Sequence, residues 1–146
     1  RDNFHLEDGH VIPAIIRKVW EAKLENKPPM LWGDGSPLRE FTYSEDIANI
    51  LLFLLKEYND EHPINIGKVG DIEIRKVTEI ICELLDYDFS KIIWDTSKPS
   101  GQHRKPSCNK KLINIGWDDN KYTSLHDGLK KTCEWFIITY PNVRGV

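Results

Sequence analysis

A single histidine stands where a polar segment meets an apolar, periodic one. His10 follows the turn signal Asp8-Gly9 and precedes the run that begins at Ile12. The first N–H groups of a helix have no partner within it, so a histidine at a helix start can bind an anion or act as a general acid. The plainer alternatives are a surface histidine and a histidine that caps its own helix.

An aromatic side chain and a guanidinium flank the Gly-rich turn at 33–37. Trp32 precedes this turn and Arg39 follows it, so the two could approach each other across a hairpin. An aromatic plane suits a purine and a guanidinium suits a phosphate. The alternative is a core tryptophan and an arginine paired with Glu40 or Asp34. The Gly-x-Gly of this turn is weak evidence for phosphate binding, because no helix of the required type follows it.

The segment from 96 to 117 is strongly basic. It holds five cations and no acid, although the whole chain has a net charge of −3. A local excess of this kind suits a diphosphate or another compact dianion, and the alternative is a solvated loop. The five cations are Lys98, Arg104, Lys105, Lys110 and Lys111.

Lys18 is a further candidate, on the polar side of the first predicted helix and about two turns beyond His10. A lysine at such a position is ordinarily a solvated surface group. The sequence has no Gly-rich nucleotide loop after a strand, no HExxH and no Asp-rich metal loop. We therefore predict no metal site.

The elements that must position these residues follow from hydrophobic periodicity and turn signals. Helices are predicted at 12–24, 44–58, 77–85, 110–115 and 124–140, and short strands at 30–32, 38–43, 63–66, 72–74 and 91–95. We expect the helix at 44–58, capped by Ser44, to be strongly buried, and Thr78 to lie on the solvent face of the next helix. The pattern indicates an α/β fold with short strands and about four main helices.

Length and composition agree with one globular domain. The chain has 146 residues, of which 40% are hydrophobic and 29% charged, and this balance argues against disorder. The net charge excludes a wholesale nucleic-acid coat, and no apolar run approaches the roughly 20 residues of a membrane span. The cysteines at 82, 108 and 133 form no disulfide framework, so we expect buried thiols in a reducing compartment.

Seven short segments occur in a distinctive order and spacing. They are Asp2-Asn3-Phe4, Gly9-His10-Val11-Ile12-Pro13-Ala14, Leu31-Trp32-Gly33, Pro37-Leu38-Arg39-Glu40-Phe41, Asp95-Thr96-Ser97-Lys98-Pro99-Ser100-Gly101, Arg104-Lys105 and Glu134-Trp135-Phe136. Over essentially the whole chain, this set resembles the C-terminal half of the GDP-L-fucose synthases. These are extended short-chain dehydrogenases/reductases (extended SDRs) of the NAD-dependent epimerase/dehydratase family.

The resemblance implies a fold and an activity. Residues 1–146 would form the small C-terminal substrate-binding domain of an extended SDR, with the N-terminal Rossmann half expected upstream. The whole enzymes convert GDP-4-keto-6-deoxy-D-mannose to GDP-L-fucose by 3,5-epimerisation and NADPH-dependent 4-keto reduction. NADP(H) is bound mainly by the Rossmann half, so the 146-residue chain by itself is expected to be inactive.

The resemblance also implies roles for particular residues. His10 matches the acid–base histidine, which lies near the nicotinamide end of NADP and works with a cysteine of the other half. Lys18 matches a basic substrate contact that is often arginine, and Trp32 and Arg39 match positions that hold the GDP part. Ser100 stands where the family has aspartate in its Lys-Pro-Asp-Gly run. The family's contact from that carboxylate to a sugar or ribose hydroxyl is therefore in question here, because serine has no carboxylate.

The implied partner is a GDP-sugar, with no nucleic acid and no membrane. The family implies a homodimeric, cytoplasmic whole enzyme and leaves open that this chain alone is monomeric. Two alternatives stay open at this point. One is another nucleotide-sugar epimerase or dehydratase, such as a GDP-mannose dehydratase or a UDP-sugar epimerase. The other is a non-enzymatic binding domain that kept the fold and lost the chemistry.

Overall fold

The computed structural model describes residues 2–98 and 101–146, which form an α/β fold with four main helices, as predicted. The helices are α1 (Val11–Glu25), α2 (Ser44–Glu57), α3 (Ile74–Leu84), the short α4 (Lys110–Asn114) and α5 (Leu125–Thr139). The strands are β1 (Met30–Trp32), β2 (Leu38–Arg39), β3 (Ile72–Glu73) and β4 (Ile93–Asp95). None of the described helices has the length and apolar character needed to cross a membrane.

The short strands pair in two separate sheets. β1 pairs with β4 in parallel, with Trp32 opposite Asp95, and β2 pairs with β3 in the antiparallel sense. The predicted hairpin between the segments of Trp32 and Arg39 is therefore wrong. The turn between β1 and β2 crosses instead to the start of α3, where the backbone N–H of Arg75 donates to the Gly35 carbonyl at 2.8 Å.

The prediction of a strand at 63–66 is also wrong, since this segment has no regular secondary structure. Ile64 and Ile66 do pack against a hydrophobic cluster. The alternation of apolar residues therefore arises from the packing of these two side chains, although the segment has no partner strand. The strand predicted at 38–43 is shorter than expected and ends at Arg39. Its partner strand β3 is only two residues long, so residues 40–43 have no strand to pair with.

The main core lies between α1, α3 and α5. The apolar stripe of α1 buries Ile15, Ile16 and Val19, and the ring of Phe4 stacks on that of Phe136 with centroids 4.6 Å apart. Thr78 is fully buried in α3 and donates its hydroxyl to the Ile74 carbonyl at 2.8 Å, so its predicted solvent exposure is wrong. An intrahelical bond of this kind satisfies a hydroxyl that would otherwise be costly to bury.

The helix α2 is far less buried than predicted. Of its apolar side chains only Ile50 is buried, against a small second cluster with Leu112, Trp117 and Tyr122. Leu51, Leu52 and Leu55 are 50%, 60% and 82% exposed. Within the described residues, the second cluster is too small to cover more than one face of this helix.

Hydrogen bonds at its N-terminus join α2 to the segment that precedes α5. Tyr43, not Ser44, is the N-cap residue of α2 and makes no side-chain cap. The buried carboxylate of Asp46 in the first turn accepts hydrogen bonds from the backbone N–H and the hydroxyl of Thr123, both at 2.9 Å. The start of α2 is thereby attached to the segment before α5, where the predicted cap by Ser124 is confirmed.

We expect Phe136→Ala to lower the free energy of unfolding by about 3–5 kcal/mol, because the ring is fully buried and stacked on Phe4. Leu55→Ala on the exposed face of α2 should change it by less than about 0.5 kcal/mol. Urea denaturation followed by circular dichroism measures both. A loss for Leu55→Ala as large as that for Phe136→Ala would mean that this face of α2 is covered in solution.

Candidate functional site

Three helices begin around one cleft of about 660 Å³. The residues that precede α1, α2 and α5, namely His10, Tyr43 and Ser124, all line it, and Trp135 forms part of its wall. The first N–H groups of each helix have no intrahelical partner, so they add polar groups to a lining that also holds apolar side chains such as Ile12, Phe41 and Leu125. It has the size and the mixed lining of a small-molecule site.

His10 is the N-cap residue of α1, yet its side chain does not cap the helix. Its ring is 82% exposed, and its Nδ1 atom lies 3.2 Å from a carboxylate oxygen of Asp2. Of the two plainer alternatives, the capping histidine is therefore wrong. The ring stands at the edge of the cleft, where the nitrogen that does not face Asp2 can exchange protons with a bound molecule.

Trp32 and Lys18 lie together in the structure. The Trp32 side chain at the end of β1 is 50% exposed, and the Lys18 ammonium lies 5.5 Å from the centroid of its ring. Lys18 also donates to the Met30 carbonyl at 3.0 Å, and its partial burial lowers the pKa of the ammonium. The alternatives of a core tryptophan and a freely solvated lysine are both wrong, because the indole is exposed and the lysine is held against it.

A second ammonium lies near the same indole, which the sequence did not reveal. Lys98 is 5.9 Å from the centroid of the Trp32 ring. The parallel pairing of β1 with β4 explains this proximity, because it places Asp95 opposite Trp32 and Lys98 three residues farther on. Only the pairing of distant strands could have indicated this neighbour.

Arg39 lies in β2, in a separate sheet from Trp32. Its Nη1 atom donates to the carbonyl of Leu38 at 2.7 Å and to that of His103 at 3.4 Å. Within the described residues Arg39 forms no ion pair, so the predicted alternative of a pair with Glu40 or Asp34 is wrong. Those two carboxylates accept hydrogen bonds from serines, Glu40 from Ser107 and Asp34 from Ser36.

Ser100 lies outside the described residues. The next residue, Gly101, lies beside the Arg39 guanidinium, since a Cβ built at Gly101 would be 3.6 Å from Nη2 of Arg39. Gly101 is therefore close to one of the predicted substrate contacts.

The basic segment at 96–117 is partly neutralised by acids from elsewhere in the chain. Arg104 pairs with Asp71, and Lys111 pairs with Asp60 at 3.3 Å and bonds to the Tyr58 hydroxyl. The expectation that all five cations of this segment lack a counter-charge is therefore wrong for Arg104 and Lys111. Linear sequence hides these partners, because they lie more than thirty residues away. Among the described residues, no three histidine, cysteine or acidic side chains cluster as a metal site would require.

Comparison with known proteins places these residues in a family. The profile of the NAD-dependent epimerase/dehydratase family matches residues 1–67, which include His10, Lys18, Trp32 and Arg39. A GDP-L-fucose synthase from Sinorhizobium fredii is 43% identical over 138 residues, covering 94% of this chain and 43% of that protein. A putative GDP-L-fucose synthase 2 from Arabidopsis thaliana is 39% identical over 137 residues, covering 93% of this chain and 41% of that protein. The first 67 residues match the NAD-dependent epimerase/dehydratase family, and nearly the whole chain is similar to GDP-L-fucose synthases.

The solved structures agree. A GDP-L-fucose synthetase from Naegleria fowleri bound to NADP superimposes with a TM-score of 0.92 at 31% identity, over 99% of this chain and 45% of that one. The predicted resemblance to the GDP-L-fucose synthases is confirmed. The chain spans less than half the length of the curated relatives that it matches.

The three cysteines differ in environment. Cys82 and Cys133 are buried, and this burial raises the pKa of each thiol to about 12. Cys108 is exposed, so the expectation that all three thiols are buried is wrong for this one.

We expect a single fast-reacting thiol in the native chain. At pH 8 a thiol with a pKa of about 12 is ionised in only ~1 of 10⁴ molecules, and only the thiolate attacks a disulfide reagent. Titration with Ellman's reagent should give one equivalent quickly and three after denaturation in urea. Cys108→Ser should remove the fast equivalent, and a fast phase that persists in this variant would contradict the assignment.

Proposed function

We propose that this chain is the substrate-binding part of a GDP-L-fucose synthase. Such an enzyme converts GDP-4-keto-6-deoxy-D-mannose to GDP-L-fucose by 3,5-epimerisation and NADPH-dependent reduction of the 4-keto group. The observation that carries the proposal is the half-exposed Trp32 ring with the Lys18 ammonium beside it. The similarity of nearly the whole chain to GDP-L-fucose synthases supports it.

The GDP part of the substrate would bind around Trp32 and Arg39. An exposed indole offers a stacking surface to guanine, and base–aromatic stacking contributes about 1–3 kcal/mol per base. Arg39, which has no carboxylate partner within the described residues, can donate two parallel hydrogen bonds to a phosphate. Lys18 contributes a point charge to the diphosphate, and we assign Ser100 a hydroxyl contact to the sugar or ribose.

His10 would exchange protons with the sugar ring. The 4-keto group makes the protons at C3 and C5 acidic, so a base can remove one and an acid can return it on the opposite face. A neutral imidazole can act as the base and an imidazolium as the acid. The position of His10 at the rim of the cleft leaves its ring accessible to a bound sugar.

NADP(H), when bound, supplies the hydride that reduces the 4-keto group. Of the residues present here, those around His10 fit contacts to its nicotinamide end, because they line a cleft with both polar and apolar side chains. The sequence has no Gly-rich dinucleotide loop. We therefore propose that most of the NADP contacts lie outside this sequence, and the resemblance to the GDP-L-fucose synthases implies the same of the catalytic cysteine and of the residues that form the homodimer.

A GDP-L-colitose synthase is the second candidate. The protein of that name from Yersinia pseudotuberculosis is 33% identical over 138 residues, covering 93% of this chain and 44% of that protein. We favour fucose because several GDP-L-fucose synthases have higher identity to this chain. Product analysis of the whole enzyme separates the two.

We expect the chain to bind GDP more tightly than UDP, because a purine offers the larger stacking area to Trp32. Isothermal titration calorimetry with each nucleotide measures this difference. Trp32→Ala should weaken GDP binding by roughly 5- to 150-fold, the range that follows from the stacking energy. Lys18→Ala should weaken it by about tenfold, as is typical for a charged contact, whereas the exposed control Lys56→Ala should have no effect. Equal affinity for GDP and UDP would refute guanine recognition.

We expect no turnover by the 146-residue chain alone. Given GDP-4-keto-6-deoxy-D-mannose and NADPH, it should not oxidise NADPH, because the sequence contains no Gly-rich dinucleotide loop to hold the cofactor. The loss of absorbance at 340 nm measures the reaction, with a whole GDP-L-fucose synthase as the positive control. Formation of GDP-fucose by the chain alone would refute this division of roles.

A further inference from the structure

One carboxylate holds the ring of His10. The Nδ1 atom lies 3.2 Å and 3.3 Å from the two carboxylate oxygens of Asp2. Among the described residues, these oxygens are the only hydrogen-bond partners of the ring. Because the side chain of His10 is 82% exposed, packing against neighbours cannot fix its orientation, and the hydrogen bond to Asp2 is left to do so.

The segment that carries Asp2 is itself anchored. Phe4 is fully buried, and its backbone N–H donates to the Arg144 carbonyl at 2.8 Å, which prevents the segment from drifting away from the core. The Asp2 carboxylate also accepts the backbone N–H of Asn3 at 2.7 Å, so its direction is set locally.

A tight turn then returns the chain from Phe4 to His10. The ring Nδ1 of His5 accepts the backbone N–H groups of Glu7 and Asp8, at 3.3 Å and 3.1 Å. The N–H of Gly9 donates to the His5 carbonyl at 2.9 Å. A Cβ at Gly9 would lie 2.2 Å from that carbonyl oxygen, so this turn requires glycine. The fold thus places Asp2 and His10 side by side although seven residues lie between them in the sequence.

We propose that Asp2 is a positioning residue for His10, which accepts the Nδ1–H and thereby selects one ring tautomer. A neutral imidazole carries a single N–H, and the hydrogen bond made by one nitrogen decides the state of the other. With the hydrogen on Nδ1, the lone pair of Nε2 is free to act as a base. This inference rests on the acid–base role proposed for His10.

The proton transfers then balance without any change at Asp2. Nε2 takes a proton from C3 or C5 of the sugar, and the electron pair of the broken C–H bond passes into the enolate of the 4-keto group. The imidazolium that forms keeps its Nδ1–H bonded to the Asp2 carboxylate, which stays ionised and stabilises the positive charge. Inversion requires that the enolate carbon take its new proton from an acid on the opposite face, a role that suits the cysteine proposed for the other half, and Nε2 then loses its proton to solvent, which restores the neutral ring.

Nitrogen NMR of the histidine rings tests the proposal on this chain directly. In the wild type at pH 8, long-range ¹H–¹⁵N spectra should show His10 with a protonated Nδ1 and an unprotonated Nε2, assigned by the signals lost in His10→Gln. In Asp2→Ala the separation between the two ¹⁵N shifts should collapse as both tautomers become populated. Asp2→Glu, which keeps the carboxylate, should restore it.

A second carboxylate–histidine pair gives a matched control. His62 Nδ1 lies 2.7 Å from Asp60, far from His10 in the sequence and also on the surface. Asp60→Ala should alter the signals of His62 and leave those of His10 unchanged. An exposed pair adds little stability, so the urea midpoints of the Asp2 variants should match the wild type, which separates a positioning role from a structural one.

The outcomes are distinct. An Nε2–H tautomer in the wild type, or His10 signals that do not change in Asp2→Ala, would overturn the proposal. Failure of the chain to bind GDP would count against the proposed function and leave the ring tautomer unaffected, so the two can fail separately.

Discussion

The organisation of this chain depends on one partly buried guanidinium. The Arg17 side chain in α1 is only 15% exposed and donates to the carbonyls of Phe4 at 3.1 Å and Gly145 at 2.6 Å and to the Glu21 carboxylate at 2.7 Å. Leaving a buried charge without partners is costly, so the segments that contain Phe4 and Gly145 must lie against this helix. The hydroxyl of Tyr140 also donates to Glu21 at 3.2 Å, which attaches the end of α5 to the same cluster.

The functional residues follow from this arrangement. Arg17 holds the backbone of Phe4 against α1. The short segment from Phe4 to the start of α1 then brings Asp2 beside His10. The same helix carries Lys18, eight residues beyond His10, which corresponds to about 12 Å along the axis. α1 therefore sets the distance between His10, the proposed proton-transfer residue, and Lys18, the proposed phosphate contact. A nucleotide-sugar needs such a separation, since its diphosphate lies between the base and the reacting sugar.

Local sequence signals were sufficient where a single helix or turn decided the outcome. The stripe of apolar residues in α1 and the Ser124 cap of α5 were predictable because neighbours within four residues determine them. The helix α2 shows where this reasoning fails. Its apolar spacing predicted burial, but how much of a helix is covered depends on the elements that pack against it. Here a small cluster around Trp117 covers one face only.

The amino-acid sequence by itself determined the fold class, the main helices, the family resemblance and the residues His10, Lys18, Trp32 and Arg39 as candidates. These depend on residue type and local spacing. Only the tertiary structure decided that Trp32 and Arg39 lie in separate sheets, that Lys98 approaches the Trp32 ring, and that Arg104 is neutralised by Asp71. Each depends on the pairing or packing of segments that are distant in sequence. Interactions of that kind leave no local pattern, because their strength comes from proximity in space.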